Sequence, residues 1–295
     1  MQPYNFLVID GSSLLVRAFF ASSYGGRVKQ TAKGIYTNAV FGFMRMLLTA
    51  CERVRPSHLF VAWDVSRDTF RRELYPEYKA TRGELPVELH PQFDLAREIL
   101  ASLSVAQHQD TRYEADDLIG SMAACAAKEG HRVLILTGDR DALQLVGENV
   151  TVAIMKKGMT ELEYYTPEYL LETWGCTPSQ ITDLKGLMGD ASDNIPGVPG
   201  IGEKTAKKLL LQYGTIEGLF EQIDTMKGKI REKIETYRET AVLSKRLATI
   251  LTDVPLPLRI DDCRCRFDIE AARPRMMELE LTRIIQQLER SWASA

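Results

Sequence analysis

Three short apolar segments that end in aspartate constrain the fold more than any other feature of the sequence. NFLVID ends at Asp10, HLFVAWD ends at Asp64, and RVLILTGDRD closes with Asp139 and Asp141. Each segment has the length and the composition of a buried strand. The stretches between them have the apolar spacing of helices, and DDLIGSMAACAAKEG ends at Gly130, a typical C-cap residue. Alternating strands and helices predict an α/β fold, with a parallel central sheet and helices on both faces.

Further acidic residues follow the same pattern. YEADD places Glu114, Asp116 and Asp117 at the start of a predicted helix, and Asp190 and Asp193 have the spacing of one helical face. Taken singly, such acids are ordinary turn and helix-capping residues. Gathered at the carboxyl edge of a parallel sheet, they would repel one another by several kcal/mol unless cations lay between them. We therefore expect two hard divalent cations, Mg²⁺ or Mn²⁺, ~4 Å apart, an arrangement that cleaves phosphodiesters.

A glycine-rich segment suits the phosphate backbone of a nucleic acid. GVPGIG, at residues 197–202, directly precedes a helix predicted to begin near Glu203. Glycines allow close approach of backbone N–H groups, and a helix N-terminus favours an anion. Lys204, Lys207 and Lys208 follow at helical spacing. The alternative is an ordinary helical hairpin with a solvated lysine face. The glycine spacing does not fit a dinucleotide-binding site.

A basic segment with aromatic residues follows the second strand. Within SRDTFRRELYPEYKATRGELP, at residues 66–86, five basic side chains alternate with Phe70 and two tyrosines. Such a mixture suits single-stranded nucleic acid, and the prolines and glycine predict a partly helical, mobile segment. The alternative is a solvated surface loop. Phe19 and Phe20 have two open roles, base stacking or core packing.

Charge and composition are consistent with a soluble nucleic-acid enzyme. The net charge is -3, yet residues 197–250 carry ten basic and seven acidic side chains. No apolar run approaches the ~20 residues of a membrane span, and the N-terminus lacks the basic region of a signal peptide. The five cysteines have no metal-site spacing, so we expect reduced thiols. These features predict a soluble intracellular protein, and a place in the cytoplasm with the nucleoid would follow only from the resemblance.

Five motifs in order now identify a resemblance that runs from Phe6 to Asp253. They are VIDGSSLLVRAFFA, FVAWDVSRDTFRRELYPEYKATR, YEADDLIG, LTGDRDALQLV and LKGLMGDASDNIPGVPGIGEKTA. The chain resembles the 5′-nuclease (flap endonuclease-like) superfamily, in the form found at the N-terminus of bacterial DNA polymerase I. Whether it is a free-standing relative or an excised domain stays open.

The resemblance implies site residues and ligands. The metal ligands it implies are Asp10, Asp64, Glu114, Asp116, Asp117, Asp139, Asp141, Asp190 and Asp193. The catalytic cations it implies are Lys79 and Arg82, on the scissile phosphate, and Arg17, in the pocket. The DNA contacts it implies are Arg71, Arg72, Tyr75 and Tyr78 in the basic segment, and Gly197, Gly200, Gly202, Lys204, Thr205, Lys207 and Lys208 in the hairpin. A K⁺ ion on backbone carbonyls of the hairpin is implied as well.

The resemblance also implies an architecture and an activity. A PIN-like nuclease core over 1–170 would include a basic helical arch at 66–95, followed by a helix-hairpin-helix unit at 171–255 and a C-terminal element at 256–295. The implied activity is that of a monomeric, structure-selective 5′-nuclease acting on DNA flaps, overhangs or nicks, or on RNA primers annealed to DNA, with a polymerase or clamp as partner. The alternatives are a non-catalytic junction-binding protein and an RNA-cleaving nuclease.

Overall fold

The central sheet of the computed structural model, which describes residues 4–23 and 28–292, has six strands in the order β3-β2-β1-β4-β5-β6. The strands are β1 Phe6–Asp10, β2 His58–Asp64, β3 Ala106–Asp110, β4 Val133–Thr137, β5 Val150–Lys157 and β6 Glu161–Tyr165. Strands β1 to β5 are parallel, and β6 runs antiparallel to β5. The three strands expected from the sequence lie side by side at the centre.

Thirteen α-helices lie within the described residues. They are α1 Gly11–Ser22, α2 Asn38–Val54, α3 Phe70–Leu74, α4 His90–Ser102, α5 Ala115–Lys128, α6 Pro167–Trp174, α7 Gln180–Met188, α8 Glu203–Tyr213, α9 Ile216–Glu221, α10 Lys229–Thr236, α11 Arg238–Ala248, α12 Ile269–Glu278 and α13 Thr282–Trp292. Alternate residues of β1 face opposite sides of the sheet, as strand geometry requires. Leu7 and Ile9 pack with α1, α2 and α4, whereas Phe6 and Val8 pack with α5. Helices therefore cover both faces, as predicted.

Helices α7 to α11 form a unit with its own apolar core, which includes Leu187, Val198, Ile201 and Leu210. Helices α12 and α13 return to the sheet domain and pack on α4 and α2. In residues 4–23 and 28–292, no helix combines the length and the apolar character that crossing a membrane requires. The domain boundaries drawn from the sequence remain predictions.

Candidate active site

The carboxyl edge of the sheet opens into a cavity of about 1050 Å³. Strands β2, β1 and β4 are neighbours, so the residues at or just after their carboxyl ends, Asp64, Asp10 and Asp139, line the same cavity. Glu114 and Asp116 join them from the start of α5. The expectation that acids from distant parts of the chain meet at one edge is confirmed for these five.

Backbone and hydroxyl donors orient these carboxylates. Asp10 caps α1, because one of its oxygens accepts a hydrogen bond from Ser13 N at 2.9 Å and the other accepts from Thr137 Oγ1 at 2.7 Å. Asp64 accepts from the backbone N of Ala115 at 2.9 Å, which ties the end of β2 to the start of α5. Asp10 is therefore both a helix-capping residue and a member of the acidic cluster.

Asp10 and Asp116 form no ion pair with any side chain of the described residues. Burial, followed by the charge of Asp64, raises the pKa of Asp10 to about 7. Burial, followed by the charges of Asp139 and Asp10, raises the pKa of Asp116 well above its ordinary value. Since like charges oppose further ionisation, this part of the cavity favours a cation.

The basic segment folds over this cavity and supplies cations to it. Lys79 Nζ lies 2.8 Å from Glu114 Oε2, and Arg82 Nη2 lies 2.5 Å from Asp193 Oδ1. The Tyr78 hydroxyl donates to both carboxylates, at 3.1 and 3.2 Å. The structure thus places both proposed phosphate-contacting cations at the rim of the acidic cluster.

Arg17 on α1 also lines the cavity. Its Nη2 donates to the carbonyl of Gly138 at 3.0 Å, next to Asp139. The guanidinium occupies the space beside Gly138 so fully that a Cβ built there would lie 2.0 Å from Arg17 Nε. The glycine is what allows this arginine to reach the cavity.

Lys185 on α7 is a site residue that the sequence interpretation missed. It is 8% exposed and pairs with both Asp141 and Asp190. Burial, with the charge of Asp139, still raises the pKa of Asp141 to about 6. Burial also opposes ionisation of Asp190, but hydrogen bonds from Lys185 and Ser192 outweigh it and lower its pKa to about 2. The sequence carried one signal, a lysine within the apolar helix ITDLKGLM.

The structure corrects the interpretation of Asp117 and Arg71, which form a fully buried ion pair. The two guanidinium Nη atoms lie 2.6 and 2.7 Å from the two carboxylate oxygens. Asp117 also accepts from the backbone N of Glu114 and of Leu251. Its oxygens are thus occupied, which leaves no place for a metal ion, and Arg71, 2% exposed, is not on the surface for DNA.

Other predicted DNA-contacting residues of the basic segment also lie differently from expectation. The segment contains the five-residue helix α3 followed by turns, so it is partly helical rather than a helical arch up to α4. Tyr78 is buried among Ile195 and Leu247, and Tyr75 is half-buried against the same cluster. Neither presents an open ring for base stacking. Arg72 lines the cavity, where it pairs with Asp68 at 2.9 Å.

The two aromatic residues after the first strand differ in exposure, and base stacking by Phe20 stays a prediction. Phe19 is buried in the core, whereas Phe20 is 57% exposed and packs edge-to-face on it.

Asp190 and Asp193 lie in a turn rather than on a helical face, and they contact different cations, Lys185 and Arg82. The three-residue spacing of the two aspartates therefore does not reflect a shared helical face, and that prediction from the sequence is wrong. The turn is closed by backbone pairing of Asp190 with Ile195.

The glycine-rich segment forms the connection between α7 and α8. Gly197 packs so closely on Gly189 that a Cβ would lie 2.2 Å from Gly189 N, and both residues have positive φ. Gly200 has positive φ as well, and Gly202 is the N-cap of α8. The helix thus begins at the predicted residue, with a compact backbone loop before it.

The side chains that follow the loop differ in exposure. Lys204 and Lys208 are exposed, and Thr205 is half-buried. Lys207 pairs with Glu203 at 2.7 Å and lies over the ring of Trp174. The exposed pair is thus the part of the lysine set that is open to a phosphate backbone.

No three Asp, Glu, His or Cys side chains among the described residues stand in an arrangement that could hold a metal ion. Lys79, Arg82 and Lys185 instead neutralise four of the carboxylates. The donor set nevertheless fits a hard divalent cation, because it consists of carboxylate oxygens and because Asp10 and Asp116 remain uncompensated.

The family models decide the relationship. The 5′-3′ exonuclease N-terminal, resolvase-like domain matches residues 5–175, and the 5′-3′ exonuclease C-terminal SAM fold matches residues 176–270. The chain belongs to the 5′-3′ exonuclease family. It is therefore a 5′-nuclease, a hydrolase, and the resemblance inferred from the five motifs is confirmed.

Similar proteins agree with this assignment. DNA polymerase I of Bacillus caldotenax is 51% identical over 257 residues, 87% of this chain and 29% of that protein, and DNA polymerase I of Bacillus subtilis is 46% identical over 86% of this chain and 28% of that protein. The chain thus spans less than a third of these relatives.

Solved structures share the fold. A complex of the bacteriophage T5 D15 flap endonuclease with DNA and metal ions matches with a TM-score of 0.68 at 20% identity, covering 97% of this chain and 98% of that one. The catalytic core of Rad2 in complex with DNA substrate matches with a TM-score of 0.63 at 13% identity, covering 98% of this chain and 92% of that one.

Proposed function

We propose that this chain is a metal-dependent, structure-selective 5′-nuclease that removes 5′ flaps and RNA primers from DNA in replication or repair. One observation carries the proposal: carboxylates from three strand ends and one helix start line the same cavity as Lys79, Arg82 and Arg17. Acids alone repel a phosphodiester, whereas acids with cations at their rim can hold both a metal and a phosphate. Such a substrate would place the protein in the cytoplasm, with the nucleoid.

Lys79 and Arg82 would act on the scissile phosphate. In the described state they are bound to Glu114 and Asp193. When the phosphate enters, their ammonium and guanidinium groups would exchange a carboxylate for a phosphate oxygen and offset the charge that develops during cleavage. The released carboxylates would then be free to join the metal-binding set.

The metal-binding residues would be Asp10, Asp64, Glu114, Asp116, Asp139, Asp141, Asp190 and Asp193. Bound Mg²⁺ or Mn²⁺ supplies activation of the attacking water and charge stabilisation at the leaving oxygen. The carboxylates orient this chemistry through their fixed hydrogen bonds to Ser13, Thr137 and Ala115. The products would carry a 5′-phosphate and a 3′-hydroxyl.

The hairpin between α7 and α8 would hold the duplex, because its backbone loop and the exposed Lys204 and Lys208 suit phosphates without reading sequence. A K⁺ ion on the carbonyls of residues 197–202 would extend this grip. The single-stranded 5′ end would pass the basic segment, where Arg72 is accessible, and Phe20 on α1 is exposed as well. A polymerase region or a clamp is the partner that this activity would suit, with the chain acting as a monomer.

A labelled 5′-flap duplex, incubated with Mg²⁺ or with a chelator, tests the proposal. We expect shortened products with a 5′-phosphate only when Mg²⁺ is present, and comparison of DNA with RNA flaps gives the preference for the cleaved strand. Tight binding of the flap duplex without cleavage in Mg²⁺ or Mn²⁺ would contradict the proposal in favour of a junction-binding protein. Cleavage of RNA alone would favour an RNA nuclease.

A further inference from the structure

The segment 247–251, which we call the strap, leads from the end of α11 back to the sheet domain. Arg71 holds the strap by its backbone, since Nε donates to Leu247 O at 2.9 Å and Nη2 donates to Thr249 O at 2.7 Å. Asp117 completes this grip by accepting from Leu251 N at 2.9 Å. The pair thus contacts every second residue of the strap.

Gln144 holds the intervening residues. Its Nε2 donates to Ala248 O at 3.0 Å, and its Oε1 accepts from Ile250 N at 2.8 Å. Gly120 allows α5 to approach the strap, because a Cβ there would lie 2.8 Å from Leu251 O. Three side chains therefore fix the backbone of all five strap residues.

Asp117 and Gln144 also form hydrogen bonds to the backbone of residues that carry site carboxylates. Asp117 accepts from Glu114 N at 3.1 Å, and Gln144 Nε2 donates to Asp141 O at 3.0 Å. Glu114 and Asp141 are paired with different cations, Lys79 and Lys185 respectively. Any shift of the strap would therefore act on the backbone of both residues.

The other end of the strap is tied to the hairpin. Helix α11 packs against α7, and Ser244 Oγ on α11 accepts from Gly197 N in the glycine-rich loop at 3.0 Å. Ser244 is fully buried. The strap is thus a short covalent and hydrogen-bonded link between the hairpin loop and the carboxylates.

We propose that Arg71, Asp117 and Gln144 are positioning residues that set which phosphodiester is cut. The inference rests on the proposed function, in which the hairpin holds the duplex and the acidic cluster cuts. Successive phosphates of one DNA strand are about 3.4 Å apart along the axis. A hairpin held firmly relative to the carboxylates selects one phosphate, whereas a loosened strap allows its neighbours to enter.

Mapping of products at single-nucleotide resolution on a 5′-labelled flap duplex tests this role, with Gln144→Leu and Arg71→Lys as variants. Gln144→Leu removes both hydrogen bonds from Gln144 to the strap without leaving a buried charge. Arg71→Lys keeps the positive charge but cannot form the bidentate ion pair with Asp117. We expect products cut one nucleotide to either side to rise about five-fold relative to the main product, the factor that corresponds to one net hydrogen bond. KM should stay within about two-fold, since the duplex grip itself is unchanged.

Gln107→Leu is the matched control. Gln107 also joins two elements through its amide, accepting from Trp63 Nε1 and donating to Arg97 O, but it does not touch the strap. We expect its product pattern to match the wild type, even if its melting temperature falls as far as that of Gln144→Leu.

Two results would overturn the inference. One is a wild-type product pattern from folded Gln144→Leu, a variant that decides the matter even if Arg71→Lys does not fold. The other is the same spread of products from Gln107→Leu, which would assign the effect to stability alone. A wild-type protein that does not cleave the flap at all contradicts the proposed function instead, so the two failures are distinguishable.

Discussion

Two groups of carboxylates share this site and differ in how their charge is balanced. The inner group, Asp10, Asp64, Asp116 and Asp139, has no ion-pair partner among the described residues. The outer group, Glu114, Asp141, Asp190 and Asp193, is paired with Lys79, Arg82 or Lys185. The two groups therefore start from opposite electrostatic states.

The difference shows where an external cation is needed. Ionisation of Asp10 and Asp116 within this group is opposed by burial and by like charge, so a divalent ion gains most beside these two carboxylates. The outer group is already satisfied by the chain's own cations, which must move before it can bind a metal. We therefore expect the inner group to dominate catalysis and the outer pairs to dominate the stability of the metal-free protein.

The largest effect is expected from the inner group. Asp139→Ala should lower the rate of flap cleavage by roughly 10³-fold or more, because several kcal/mol of charge stabilisation by the metal would be lost. Single-turnover rates in Mg²⁺ measure this, and DNA binding by fluorescence anisotropy should be retained. Cleavage within about ten-fold of wild type would contradict a role for Asp139 in metal binding.

The next effect concerns the outer pairs. Lys185→Met should lower the free energy of unfolding of the metal-free protein by about 3 kcal/mol, because a buried ion pair that loses one partner leaves an unpaired charge. Thermal melts with and without Mg²⁺ check this, and added Mg²⁺ should restore part of the loss. Lys128→Met, on the exposed end of α5, serves as the control and should leave the melting temperature nearly unchanged. Equal melting temperatures of the two variants would contradict the role of Lys185.

Cations of the basic segment should have a smaller catalytic effect than the inner acids. Lys79→Ala, or Arg82→Ala, should reduce the single-turnover rate by roughly 10²-fold, as removal of one donor to a developing charge does. The measurement is the rate at saturating enzyme, where binding no longer contributes. If both variants lose affinity but keep that rate, they serve only to hold the DNA.

The last effect is a gain in stability rather than a loss. The ordinary pKa of an aspartate is near 3.8, and that of Asp10 is raised to about 7 in the folded protein. The unfolded chain therefore ionises first as pH rises, so this carboxyl costs stability increasingly between about pH 4 and pH 7 and fully above that range. Asp10→Asn removes the cost, so it should raise the melting temperature of the metal-free protein at pH 8 and much less at pH 5. An equal shift at both values would show that the charge of Asp10 is not the cause.

Much of the fold could be predicted because its central strands are continuous apolar runs. Strands β1, β2 and β4 are buried on both faces and have the matching composition. Strand β3, with the sequence AQHQD, lies at the edge and is only partly buried, so it lacks the apolar signal. Strand β6 is likewise half-exposed at the opposite edge. Edge strands take their conformation from their neighbours rather than from their own residues.

The candidate site, like the fold, could be predicted from the sequence only in part. Acids at strand ends could be placed from the sequence because the topology of a parallel sheet fixes where those ends meet. The roles of Asp117, Arg71 and Tyr78 could not be predicted, because the sequence does not show whether a polar or charged side chain is buried with a partner or exposed to solvent. Their roles depend on the strap, which contacts them from more than 120 positions away in the chain.

A substitution at position 138 would change the placement of Arg17 without replacing any side chain of the site. The missing methyl group at Gly138 is what admits the arginine head of residue 17 to the backbone beside the cleavage centre. An alanine at 138 would displace the Arg17 guanidinium outward. The added methyl group would thereby lower the positive potential beside Asp139 while every carboxylate stays in place.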